Sequence, residues 1–524
     1  MRKPDRILGI VLILLLAACG GGGGGGGGSS PPPTGGGWVM GVFQPFANFE
    51  ALCVNPRTGI DPSTQQPFAD RLGTVTDQNN WLRSWTNDLY LWYGEVPDLN
   101  PALYTTPDYF DLMMTTATTP SGSEKDKFHF SLSSADWFAL SQSGAQAGYG
   151  AAWVILSGVP PRQLVVAFTE PGTVASSAPA NLVRGAQVLF VDGVDLVNDN
   201  TAAGVDTLNA GLFPTASGQA HTFTVRDPGG TQRTFSMTSA IITSDPVQNV
   251  KVIPTASGPV GYLLFNDHIA PSETQLIDAV TFLQAQMVTD LVLDLRYNGG
   301  GFLDIASEVA YMIAGAGRTS GKTFELLQFN DKHPTRDPVT GQLIMPIPFH
   351  QTSQGFSGSP NQALPSLNLG RVFVLTGPDT CSASESIMNS LRGVDVDVIQ
   401  VGSTTCGKPY GFYPTDNCGT TYFSIQFRGV NAKSFGDYPD GFSPQNTVGV
   451  AGVSVPGCSI ADDFAHALGD EAEGRVAAAL RYRAGQPCGP ATGISAKALS
   501  ASPAVIVDGH MPKSPWRENR ILRH

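Results

Sequence analysis

Apolar positions along this chain change their spacing from block to block. Between residues 244 and 488 short, fully apolar runs of strand length at 261–265, 291–296, 372–375 and 396–401 alternate with longer stretches whose apolar residues recur at helical spacing. A helix is predicted over 274–286. Ile305, Val309, Met312 and Ile313 share one helical face, and Ile387, Met388 and Leu391 share another. Gly377-Pro378-Asp379 stops the run at 372–375; Ser382 to Glu385 then open a helix that Gly393 ends. Strand and helix in alternation predict an α/β layered core.

Upstream the spacing is different. Residues 145–243 read as a β module, with strands expected at 149–156, 163–169, 186–191, 221–226 and 231–237 and a helix at 202–212. Residues 38–144 read as mostly helical: Trp81, Leu82, Trp85, Leu89 and Trp92 recur at helical spacing, an aromatic cluster better suited to a core than to a ligand. A closing helix is expected over 462–483, with acids early and arginines late, and 489–524 as a poorly ordered tail. The long 318–369 stretch, rich in Gly, Pro, Ser and Thr, suggests a substrate-facing insertion whose role is not legible.

The first residues add a compartment. Arg2, Lys3 and Arg6 precede an apolar run at 7–16 that is short for a membrane span, as in a signal peptide over 1–18. A Gly/Ser/Pro-rich tether fills 19–37. Formal charge is −13, and −15 once the three bases and one acid of residues 1–18 are set aside, so nucleic acid is not an expected partner. Apart from Cys19, six cysteines remain: Cys53, Cys381, Cys406, Cys418, Cys458 and Cys488. An oxidising compartment allows three disulfides among them in about 15 pairings. No pair has metal-ligand spacing, and neither a metal nor a cofactor is expected.

Candidate chemistry gathers at 371–408. Ser382 stands where a strand gives way to a helix, with backbone N–H groups and the positive helix end nearby, which suits an acyl-transfer nucleophile. Ser382 with Glu385 is equally a helix capping box. Asn298-Gly299-Gly300-Gly301 lets backbone approach a ligand, or is an ordinary Gly-rich turn. Lys408 follows Ser382 by 26 residues and is a base or a solvated loop lysine.

Jointly, Asp294-Leu295-Arg296, Asn298, Gly300-Gly301, Ser382 to Glu385 and Gly407-Lys408 resemble the motifs of the C-terminal processing peptidases, or tail-specific proteases. The resemblance implies a crotonase/Clp-protease-like layered core with Ser382 as nucleophile and Lys408 as general base. It implies an oxyanion hole from the N–H groups of Ala383 and Gly300. Many members carry a glutamine four residues after the lysine; here Phe412 stands there, leaving Glu385 as a possible supporting residue or merely a helix cap. A lysine at its reference pKa is neutral in only about one molecule in 2,500 at pH 7, so Lys408 needs a largely apolar pocket, for which Ile399, Val401, Phe412 and Tyr413 are near in sequence. A bridge between Cys381 and Cys406 would pin the two loops together.

Two further resemblances extend the picture. Glu170 to Thr173 and Arg184 to Gly193 look like segments of a PDZ-like module, which places Gly148, Tyr149 and Gly150 where such a module binds a peptide carboxylate. The alternative is a β module without a ligand. Leu16-Ala17-Ala18-Cys19 resembles a bacterial lipobox, implying lipidation at Cys19 and anchoring to the outer membrane, facing the periplasm. The expected activity is a serine endopeptidase acting on unfolded or tail-exposed proteins and peptides. The alternatives are a non-catalytic peptide- or ligand-binding lipoprotein, and an esterase or amidase. His129 and His268 match no motif and read as structural.

Overall fold

The computed structural model describes residues 38–449, 452–493 and 520–521; Cys19 and the leader and tether read at 1–37 lie outside them. A six-stranded sheet forms the centre, in the order Val247–Ile253, Val260–Phe265, Asp290–Asp294, Arg371–Thr376, Asp397–Gly402, Gly457–Ser459. The first pair is antiparallel and the rest are parallel. Parallel strands covered on both faces must be apolar on both, which explains the continuous apolar runs. Leu263, Leu293, Val372, Val374 and Val398 pack among residues of helices Ser272–Ala285, Leu303–Ala314 and Ala383–Gly393. Their neighbours Tyr262, Leu264, Val292, Phe373, Leu375 and Val401 pack with helix Gly474–Arg483 and with Val154, Val165 and Ala167 of a second sheet. The loops after Asp294, Thr376 and Gly402 all leave the carboxyl edge of the central sheet, where open α/β sheets hold ligands.

The second sheet runs Gln232–Thr238, Ala220–Arg226, Gln187–Val191, Gln163–Thr169, Ala151–Ser157. Helix Ala202–Leu212 closes its core through Leu208 and Leu212 against Val188, Val191 and Phe223. A smaller sheet, Ile347–Pro348, Thr323–Phe329, Phe427–Val430, Tyr410–Gly411, carries the chain out of the Lys408 loop.

Four expectations change. The strand expected at 149–156 is broken: Ala145–Gly148 pairs with Ala240–Thr243, and Ala151–Ser157 joins the other sheet. The break falls at Gly150, whose φ is +80° and where a Cβ would meet Thr173 Oγ1 at 2.2 Å. Residues 38–144 are less helical than expected, with helices Val75–Leu89, Thr106–Asp111 and Ser134–Ser143 parted by turns and short strands. New turns start at Pro101 and Pro107, and the region is tied elsewhere by a Cys53–Cys418 disulfide and a core of Trp81, Trp85, Phe110 and Tyr422. The closing helix spans only Gly474–Arg483, because Asp462 and Glu473 are drawn into a buried ion-pair network. The 318–369 stretch is built into the core: it supplies strand Thr323–Phe329 and a strap at 354–358 whose N–H groups bind the Glu273 carboxylate.

Candidate active site

The turn after Arg371–Thr376 is held from inside. Thr380 Oγ1 donates to Leu295 O at 2.7 Å and accepts from Gly377 N at 2.9 Å. The chain then enters helix Ala383–Gly393 through Ser382, at φ 58°, ψ −113°. A non-glycine residue in this region costs about 1–3 kcal/mol and persists where its surroundings over-determine it. Here they do: the Ser382 N–H donates to Glu385 Oε2 at 3.0 Å, and Cys381 N donates to Asn298 O at 3.1 Å. Ser382 is fully buried.

Glu385 also organises the loop that carries the lysine. Its carboxylate accepts from Thr405 Oγ1 at 2.5 Å, Gly407 N at 2.9 Å and Lys408 N at 2.8 Å. Burial pushes the Glu385 carboxyl up, and these donors pull against that push. A Cys381–Cys406 disulfide closes the arrangement. Gly407 has φ +83°, and a Cβ there would sit 2.2 Å from Pro439 O, so the turn into Lys408 needs glycine. Cys381, Glu385 and Cys406 place potential metal-ligand atoms within 4.8 Å of one another, but the two sulfurs are bonded to each other and do not serve as ligands.

Lys408 is buried, its ammonium 4.6 Å from the Phe128 ring centre and 4.8 Å from that of Phe412. Its pocket is thus apolar, as its proposed chemistry needs, but only Phe412 of the four residues near in sequence is one of these two walls. Phe128 arrives from 280 residues upstream, with no local signal to mark it.

Asn298 joins the Gly-rich turn to both neighbours. Its Nδ2 donates to Phe265 O at 2.9 Å, its Oδ1 accepts from Gly300 N and His268 Nδ1, both at 2.9 Å, and its carbonyl accepts from Ser384 Oγ at 3.0 Å. The Gly300 N–H, expected to face an oxyanion, is given to Asn298 in this structure. Ala383, the other expected donor, is the first residue of its helix, where N–H groups lack intrahelical partners. His268 packs against the turn, and His129 stacks on Phe110 at 3.9 Å, both in structural roles.

Arg296, fully buried, binds Asp294 and spans to Asp462 at 2.7 Å and Glu473 at 2.7 and 3.0 Å. Arg184 of the second sheet's loop reaches the same Asp462 oxygen at 2.6 Å and Tyr297 Oη at 2.8 Å. Burial works to raise the Asp462 carboxyl, and Arg184, Arg475 and Arg296 overcome it, holding it far below the usual range. Glu473 is likewise held low, its burial overcome chiefly by Arg296.

Gly148, Tyr149 and Gly150 lie elsewhere, lining a cavity of about 870 Å³ with Trp153, Leu212 and Phe213. Tyr149 itself turns inward, its Oη donating to Gly211 O at 2.9 Å. Strand Ala151–Ser157 borders this cavity, and among the described residues it pairs only with Gln163–Thr169.

Residues 259–411 match Peptidase family S41. The carboxyl-terminal-processing protease of Picosynechococcus sp. (strain ATCC 27264 / PCC 7002 / PR-6) is 32% identical over 154 residues, which are 28% of this chain. The match spans about a third, 34%, of that relative's length. A crystal structure described as an S41 protease of Bacteroides fragilis NCTC 9343 superposes with a TM-score of 0.56 at 21% identity, covering 77% of this chain and 97% of that one, so the two share a fold.

Proposed function

From the peptidase family S41 domain that residues 259–411 form, we propose that this chain is a serine endopeptidase working through Ser382 and Lys408. One observation carries the reading: a single buried carboxylate, Glu385, holds the N–H groups of both residues. A helix cap alone does not require the second half of that arrangement. In the proposed reaction the Ser382 Oγ attacks a peptide carbonyl while Lys408 Nζ takes its proton and passes it to the departing amine. Water then attacks the acyl-enzyme, giving its proton to Lys408 and returning the Ser382 hydroxyl. The Ala383 N–H faces the developing oxyanion, and Gly300 joins it by turning its N–H away from Asn298.

The finer architecture belongs to the same proposal. The central sheet is a crotonase/Clp-protease-like core, and residues 145–243 are a PDZ-like module. The open edge of Ala151–Ser157 beside the cavity supports capture of a peptide as an added strand near Gly148 to Gly150. Unfolded or tail-exposed proteins are the proposed substrates. Lipidation at Cys19 places the enzyme on the cell envelope, at the outer membrane facing the periplasm.

The test is degradation of casein by a soluble form beginning at Trp38, beside Ser382→Ala and Lys408→Ala. Cleavage by the parent and loss in both variants supports the dyad. An inactive parent, or a variant as active as the parent, sinks it and leaves peptide binding at the module as the main activity.

A further inference from the structure

A two-residue strand near the end of the chain, Arg520–Ile521, pairs in parallel with Gly301–Phe302, Gly301 opposite Arg520 and Phe302 opposite Ile521. It also lies against Tyr410–Gly411. Both neighbours belong to the candidate site. Gly301 directly follows the Asn298 to Gly300 turn, which is bonded to the nucleophile elbow, and Tyr410 stands two residues beyond Lys408. The segment is therefore bracketed by the loop on the serine side and the loop on the lysine side.

The edge at Gly301 suits main-chain docking. Its φ is +135°, and a Cβ there would stand 2.4 Å from His268 O, so glycine is required and no side chain shields the strand edge. Pairing through backbone groups is how an extended peptide is held without regard to its sequence. Charge favours the same contact. Residues 494–524 contain five Lys and Arg against two Asp and Glu, in a chain whose formal charge is −13.

We infer that the Gly301–Phe302 edge is where a substrate's main chain docks, and that the segment carrying Arg520–Ile521 occupies this edge in cis as a competing pseudosubstrate. The inference deepens the peptidase reading and rests on it. A tethered occupant competes at an effective concentration set by its linker, on the order of millimolar, so an incoming chain must displace it. Access to Ser382 is then controlled by the enzyme's own tail.

The experiment compares the full chain with one ending at Gly493 and with Ile521→Pro in the full chain, which removes a backbone donor from the pairing without shortening the protein. A fluorescent peptide of sequence PWRENRILRH, residues 515–524, reports docking independently of catalysis, with all three proteins carrying Ser382→Ala. Saturable binding to the shortened protein and to Ile521→Pro, about tenfold or more tighter than to the full chain, is expected. Equal binding to all three, or none to either altered protein, overturns the inference. With Ser382 restored, both altered proteins should cleave casein with kcat/KM raised about tenfold, and the peptide should inhibit them competitively. Casein cleaved equally by all three, with no inhibition by the peptide, defeats the docking and leaves the peptidase standing. Differential peptide binding with no cleavage by any form supports the docking and defeats the peptidase.

Discussion

Ser382 and Lys408 meet through one atom: Glu385 Oε2 accepts the N–H of Ser382 at 3.0 Å and that of Lys408 at 2.8 Å. Glu385 is thus a positioning residue, setting where two backbones stand relative to each other. Glu385→Gln keeps its shape but turns an amide toward N–H groups that need acceptors, and each buried donor left unpaired costs about 1–3 kcal/mol. We expect a marked fall in kcat with little change in KM, and a lower urea midpoint. Unchanged kcat in a folded Glu385→Gln variant would refute the positioning role.

The Cys381–Cys406 disulfide closes a loop with a sequence separation of 25. In the chain-entropy account such a loop contributes about 3–4 kcal/mol. Replacing both cysteines by serine should lower the melting temperature and kcat together, because the elbow and the lysine loop lose their covalent tie. Replacing Cys53 and Cys418 removes a tie remote from the two loops and should lower stability with kcat kept. Equal effects of the two pairs on kcat would show that the first has no special place.

Arg296 has three carboxylates around it in a fully buried site. Arg296→Met leaves Asp294, Asp462 and Glu473 without that partner, and breaking a buried pair in this way costs about 3–5 kcal/mol. Asp462 and Glu473 are held below their ordinary values. Their contribution to stability is complete above the unfolded carboxylate range and is lost as pH falls through their folded values. Unfolding free energy measured from pH 7 downward should therefore decline on the acid side, and less steeply in Arg296→Met. An identical acid slope in both proteins would count against the network.

Glu308 behaves in the opposite sense. Burial, aided by the charge of Glu273, pushes it from 4.5 up to about 9. Across that window the folded chain keeps a proton that the unfolded chain releases, so stability declines as pH rises. Glu308→Gln imitates the protonated acid and keeps an acceptor for the Gln354 N–H, now 2.9 Å from Glu308 Oε1. The variant should match the parent near pH 4.5 and exceed it in melting temperature at pH 8. A constant difference across that range would show that the titration is not the cause.

The sequence by itself determined the central sheet and the residues at its carboxyl edge. Continuous apolar runs can only be strands covered on both faces, and helical apolar stripes between them leave few ways to connect. Local punctuation did the rest: Gly377-Pro378-Asp379 and Gly393 bound the elbow helix within one residue, and the 202–212 helix stands where its apolar residues place it. What only the tertiary structure decided is whatever joins distant segments. Phe128 facing Lys408, Arg184 meeting Asp462, Glu473 reaching Arg296 and Arg520–Ile521 lying beside Gly301–Phe302 link residues far apart in the chain. Periodicity reports the face a residue shows, not which remote segment covers it. The Gly300 N–H turned to Asn298 belongs to the same class, since a glycine's permissive backbone takes its orientation from the groups packed around it.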